Sequence, residues 1–104
     1  MLIQINTDNH IEGSENLIAH FTEALQNTLK RFNEYITRLE VHLGDENGAK
    51  KGDDDKRCML EARLKGMSPV AVTHHASTLH LAVKGAADKL ITVLGNTLDQ
   101  KRNH

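Results

Sequence analysis

Seven histidines, one cysteine and one acidic run are the features of this 104-residue chain whose side chains could do chemistry. Neutral imidazole is a good zinc ligand, but a zinc site needs its ligands at set spacings. His10, His20, His42, His74, His75, His80 and His104 form no His-Glu-x-x-His helix, and the lone cysteine has no Cys-x-x-Cys partner. His74 and His75 are adjacent at a strand end, where neighbouring side chains diverge. They read as surface or helix-edge imidazoles, and no metal is expected. Cys58 could pair with a histidine as a nucleophile. Its alternation with Leu60, Ala62 and Leu64 instead puts it on an apolar face, where cysteine behaves as a small hydrophobe. The run from Asp45 to Asp55 lacks the alternating ligands, distant glutamate and flanking helices of a calcium loop. No Gly-x-x-x-x-Gly-Lys motif is present, and Gly44, Gly48 and Gly52 do not precede a helix. No catalytic residue, cofactor or small-molecule substrate is therefore expected.

The basic residues are what remain. Net charge is only −1, but its distribution is uneven. Residues 1–49 hold eight acids against three bases, and residues 50–104 hold ten bases against six acids. Such a chain has a polarised surface, and positive faces attract anions such as nucleic acid. Arg63 and Lys65 share one face of a strand, Lys84, Lys89, Lys101 and Arg102 lie along or after a helix, and Lys30-Arg31 end another. Lysine and arginine are the residues that phosphate contacts require. A charged residue on a wet surface is, however, more often simply solvated. Aromatic content is 3% with no tryptophan, so stacking of bases on rings is largely unavailable.

The elements that must position these residues follow from hydrophobic spacing. Residues 2–6 alternate and predict a first strand, closed by the turn-like Thr7-Asp8-Asn9. Ser14 is suited to cap a helix in which Leu17, Ile18, Phe21, Leu25, Leu29 and Phe32 recur at helical steps, with an exit near Asn33-Glu34. Residues 36–43 switch to period two, with Leu39, Val41 and Leu43 inward. Residues 44–56 have neither period nor apolar content and read as a solvated hairpin loop. Cys58 to Lys65 predict a third strand, Gly66-Met67-Ser68-Pro69 a turn, and residues 70–73 a short fourth strand. A second amphipathic helix runs from Leu79 to about residue 100, with fraying beyond Gly95. The expected fold is α+β, of order β-α-β-β-β-α, a two-layer sandwich. A four-stranded mixed sheet carries both helices on one face and leaves the other wet. The first two strands are parallel if adjacent, and the later ones form an antiparallel meander.

The length suits one domain over residues 1–104. No apolar run reaches the roughly 18 residues of a membrane span, and the N-terminus shows no signal peptide. A single cysteine fits a reducing compartment, so the chain reads as cytoplasmic.

The order of elements and several motifs resemble the ribosome hibernation-promoting factor and ribosome-associated inhibitor family, also called sigma-54 modulation proteins. The resemblance covers nearly the whole chain. Met1-Leu2-Ile3-Gln4-Ile5 is similar to the family's first strand and Ser14-Glu15-Asn16-Leu17 to its first helix start. Lys30-Arg31-Phe32-Asn33-Glu34-Tyr35 is similar to the end of that helix, and Arg38-Leu39 leads into the second strand. The most specific stretch is Ala82-Val83-Lys84-Gly85-Ala86-Ala87-Asp88-Lys89-Leu90. Thr78 and His80 stand where the family commonly has an aspartate and a tyrosine, and Lys84 where an acid is usual.

The resemblance implies a short-form translation inhibitor. It would bind the rRNA of the small ribosomal subunit in the channel used by messenger and transfer RNA, during stress or stationary phase. It would act by occupancy, as a monomer, without a membrane or catalysis. The matched basic positions are Arg31 and Lys89; Arg63, Lys65, Lys84, Lys101 and Arg102 come from the charge reading. The alternative is a protein-binding regulatory module that keeps the fold and has lost ribosome binding.

Overall fold

The computed structural model describes residues 1–46 and 55–102, with side chains to residue 99. The first strand, β1, runs Leu2–Thr7. Ser14 caps the first helix, α1 (Glu15–Thr28): its Oγ accepts the Leu17 N–H at 3.1 Å. Glu15 in the first turn complements the positive end of the helix dipole. The helix stops earlier than its apolar spacing predicts. Lys30–Phe32 form a 3₁₀ turn, closed by Asn33 N–H to the Lys30 carbonyl at 3.1 Å. Leu29 and Phe32 are three apart, a spacing that serves a 3₁₀ turn as well as an α-helix. Both are buried, while Lys30 and Arg31 are exposed.

Strands β2 (Ile36–Asp45), β3 (Lys56–Leu64) and β4 (Val70–Ala76) follow, then helix α2 (Leu79–Arg102). The sheet order is β1-β2-β3-β4, with β1 and β2 parallel and the other pairs antiparallel. Two residues of β2, Ile36 and Arg38, flank a break in register opposite Leu64 and Arg63. Strict period two would put Ile36 on the same face as Arg38. The irregularity turns it into the core, where it is 1% exposed. Helices α1 and α2 cover one face. Beneath them lie Leu39, Val41, Leu43, Cys58, Leu60, Ala62 and Leu64, the inward positions read from the alternation.

Three boundaries differ from the sequence reading. Gly44 and Asp45 extend β2 and Lys56 begins β3, so the ends of the expected loop are strand; residues 47–54 lie outside the described residues. Asp45 and Asp55 are buried rather than solvated. The Lys56 ammonium reaches both carboxylates, at 3.1 and 3.2 Å. His74, His75 and Ala76 complete β4. Finally, α2 continues through Gly95 to Arg102, because Leu90, Leu94 and Leu98 keep its inner face against the core.

Direction decides where charges gather. Strand β4 ends opposite the start of β3, and α2 runs back toward the end of β3. At 1.5 Å per residue α2 spans ~36 Å, while β4 spans ~23 Å. The helix therefore overshoots β4, in a molecule 50 × 26 × 19 Å in extent.

Candidate nucleic-acid interface

The end that α2 overshoots is also where α1 gives way to its 3₁₀ turn, β2 begins and β3 ends. Arg31 shares a cleft with Leu98 and Asp99 of α2. Lys65 lies just past β3, not on its wet face as expected, and its N–H donates to the Tyr35 carbonyl at 3.0 Å. Arg63 faces Arg38 across the β2–β3 pair. Lys101 and Arg102 close α2 at this same end. Five of the seven basic positions singled out by sequence thus gather at one pole, joined by Lys30 and Arg38.

Like charges directly opposite in a sheet repel, so Arg38 and Arg63 need a counterweight. Glu40 and Glu61, the next facing pair on the wet face, supply it at 3.3 and 3.5 Å. Arg38 also donates to the Gln4 side-chain carbonyl. At the far end of the wet face Glu46 holds His75 at 3.0 Å and Arg57 at 3.7 Å. The wet face is therefore an alternation of basic and acidic rungs, not a continuous positive stripe. Exposed pairs of this kind contribute only about 0–1 kcal/mol. A phosphate can displace such a carboxylate at little cost.

The other two predicted cations lie elsewhere. Lys84 pairs with Asp88 at 3.3 Å on the exposed side of α2. It is 14 residues, or roughly 21 Å of helix, from Leu98 beside Arg31. The Lys89 ammonium donates to the Thr73 carbonyl at 2.8 Å, pinning α2 to the β4 edge.

Cys58 lies directly opposite His74 in the β3–β4 register, so the nucleophile pairing weighed from sequence is geometrically adjacent. Cys58 is nonetheless fully buried, and desolvation pushes its thiol up to about 12. It is protonated at neutral pH, and the reactive species is the thiolate. Among the described residues no group of three or more His, Cys, Asp or Glu side chains converges to hold a metal. His74 packs toward Gly85 of α2 and His75 points to the wet face, diverging as adjacent strand residues must.

Two features escaped the sequence reading. Nothing in the sequence singles out Arg38; its place in the basic cluster depends on which strands pair. Aromatic scarcity also hid one ring cluster and one cation–π contact. His20, Phe21 and His80 meet at 4.7–5.3 Å between centroids at the N-terminal ends of the helices. At the basic pole, the Arg31 guanidinium lies 4.5 Å over the Phe32 ring.

Comparison with known proteins bears on the fold and the family. Residues 3–102 match the family described as sigma 54 modulation protein / S30EA ribosomal protein. The chain belongs to this family. Its members are ribosome-associated proteins. Its fold is similar to that of the Protein Y N-terminal domain from Thermus thermophilus, at 21% identity and a TM-score of 0.72. That match covers 93% of this chain and 99% of the other. A ribosomal subunit interface protein from Coxiella burnetii is similar at 18% identity and a TM-score of 0.75, covering 95% and 99%. Both likenesses are of fold. A search of curated protein sequences gives no significant match. Among the described residues no helix is long and apolar enough to cross a membrane.

Proposed function

We propose that this family member binds the rRNA of the small ribosomal subunit, in the channel of messenger and transfer RNA, and blocks translation during stress or stationary phase. The observation that carries this reading is the basic pole of Arg31, Arg63, Lys65, Lys101 and Arg102 with Lys30 and Arg38. A slender body with a cluster of cations at one end suits insertion into an RNA-walled channel, because phosphate attraction orients it on approach. Inhibition is by occupancy. A deeply buried, protonated thiol supports a role without catalysis, acting as a monomer in the cytoplasm. Lys84 and Lys89, held by Asp88 and by a strand carbonyl, contribute less than the pole.

Co-sedimentation with small subunits tests the reading. Binding at low salt that is released as salt rises supports it, and absence from ribosomes of starved cells overturns it. The interleaved acids of the wet face favour one second reading, a regulatory module that binds a protein. A discrete protein partner that survives both RNase and high salt would establish that alternative.

A further inference from the structure

The cleft at the basic pole is more specific than a phosphate-attracting surface requires. It encloses about 630 Å³ between the 3₁₀ turn and the last turns of α2. That is the volume range of small-ligand sites. Phe32 lines it, and the Arg31 guanidinium carbon lies 4.5 Å over that ring. A guanidinium is planar, and one face on a ring leaves the other for a second flat group. Gly95 lines the α2 side, and a methyl there would meet nothing within 4 Å, so the helix leaves open space. Tyr35 and Leu98 complete the walls.

Two acids on the rim, Glu34 and Asp99, set the polarity. Neither is in an ion pair among the described residues, nor is Arg31. Two carboxylates repel phosphate from this rim but accept N–H groups. The occupant they suit is a neutral flat ring with a donor edge, its phosphate left outside the cleft. Among nucleobases guanine fits best, because its N1–H and N2 amino group donate side by side along one edge.

We propose that this cleft receives an unpaired guanine of RNA, stacked on Arg31 against Phe32, with its donor edge toward Glu34 and Asp99. The inference deepens the rRNA reading and rests on it. Unstacked bases in RNA are commonly held on arginine planes in this way.

The test is an NMR titration of the isotopically labelled protein at low salt with GMP, AMP, CMP and UMP, with ribose 5-phosphate as the phosphate-only probe. GMP should shift the amides of Tyr35, Gly95 and Leu98 saturably, several-fold more tightly than the other nucleotides. Ribose 5-phosphate should leave those amides in place. Arg31→Lys keeps the charge and removes the plane, and should weaken GMP about tenfold. Gly95→Leu fills the cleft and should abolish the shifts. Equal response to ribose 5-phosphate, or GMP affinity unchanged in Arg31→Lys, overturns the base site. Co-sedimentation run in parallel separates the two readings. Ribosome binding without nucleotide selectivity overturns the guanine cleft alone. GMP binding in a protein that never meets ribosomes supports the cleft and removes the rRNA reading.

Discussion

Helix α2 contains two glycines whose replacement by alanine should change stability in opposite directions. In an exposed helix interior, alanine is favoured over glycine by about 0.8–1.0 kcal/mol, since glycine loses more backbone freedom on folding. Gly95 has open space where a Cβ would go, so Gly95→Ala should gain about that amount. Gly85 faces His74 of β4. A Cβ there would lie 2.0 Å from His74 Cδ2, 2.3 Å from Nε2 and 2.6 Å from Cγ. Carbon atoms in contact sit ~3.5–4.0 Å apart, so the whole ring must leave. Overpacking of this kind costs about 1–3 kcal/mol, which outweighs the gain in propensity. Gly85→Ala should therefore lose about 1 kcal/mol, roughly 4–8 °C in Tm for a domain of this size. His74→Ala removes the obstacle. In that background Gly85→Ala should become stabilising by about 0.8–1.0 kcal/mol, giving a coupling energy of about 1–3 kcal/mol. Urea denaturation of the wild type, both single variants and the double variant measures all four terms. If Gly85→Ala stabilises the wild type as Gly95→Ala does, α2 does not approach β4 closely at His74.

Other expectations concern the buried ionisable groups and the basic pole. The Cys58 thiol should resist alkylation in the folded protein at pH 8 and react only on unfolding, as read by mass spectrometry. Because burial lifts its folded pKa from the ordinary thiol value of 9.0 to about 12, the folded state binds more protons between those pH values. Stability should fall across that window, by at most about 1.4 kcal/mol per pH unit, and less in Cys58→Ala. Hydrogen bonds from Lys56 to Asp45, with a smaller contribution from Asp55, raise the pKa of Lys56 above 10.5. Its stabilisation is complete below that pH and lost as pH rises through the folded value. Lys56→Met should thus lower the urea midpoint at pH 7, with the deficit narrowing above pH 10.5. Arg31→Glu and Lys65→Glu should each weaken ribosome co-sedimentation and flatten its salt dependence. Lys89→Gln should change it little while loosening α2 from β4, visible as faster hydrogen exchange at Thr73.

The hydrophobic alternation was enough to place Leu39, Val41, Leu43, Cys58, Leu60 and Ala62 in the core, and all six are buried. Period two is a local property of an extended chain with one dry face, so it can be read without knowing the partners. Boundaries were harder wherever local spacing admitted two solutions. Leu29 and Phe32 fit both an α-helix and a 3₁₀ turn, and the latter is found. Ile36 depends on a break in register that only pairing with β3 creates. Asp45 and Asp55 resemble loop acids in sequence, and are buried because Lys56 reaches both.

The basic interface divides the same way. Composition alone established that the second half of the chain is basic and the first acidic, and the elements alone established a sandwich with one wet face. Neither says which cations meet. Arg31 and Lys101 are 70 positions apart in the chain. They share a pole because β1 and β2 run parallel, so α1 and its 3₁₀ turn must return to the end where β2 starts. Helix α2, antiparallel to β4, ends at that same place. Tertiary structure also decided which charges are engaged, Lys89 by a strand carbonyl and Arg63 by its neighbour Glu61. Residue types are fixed locally, but strand direction and register determine distance, and electrostatic interaction depends on distance.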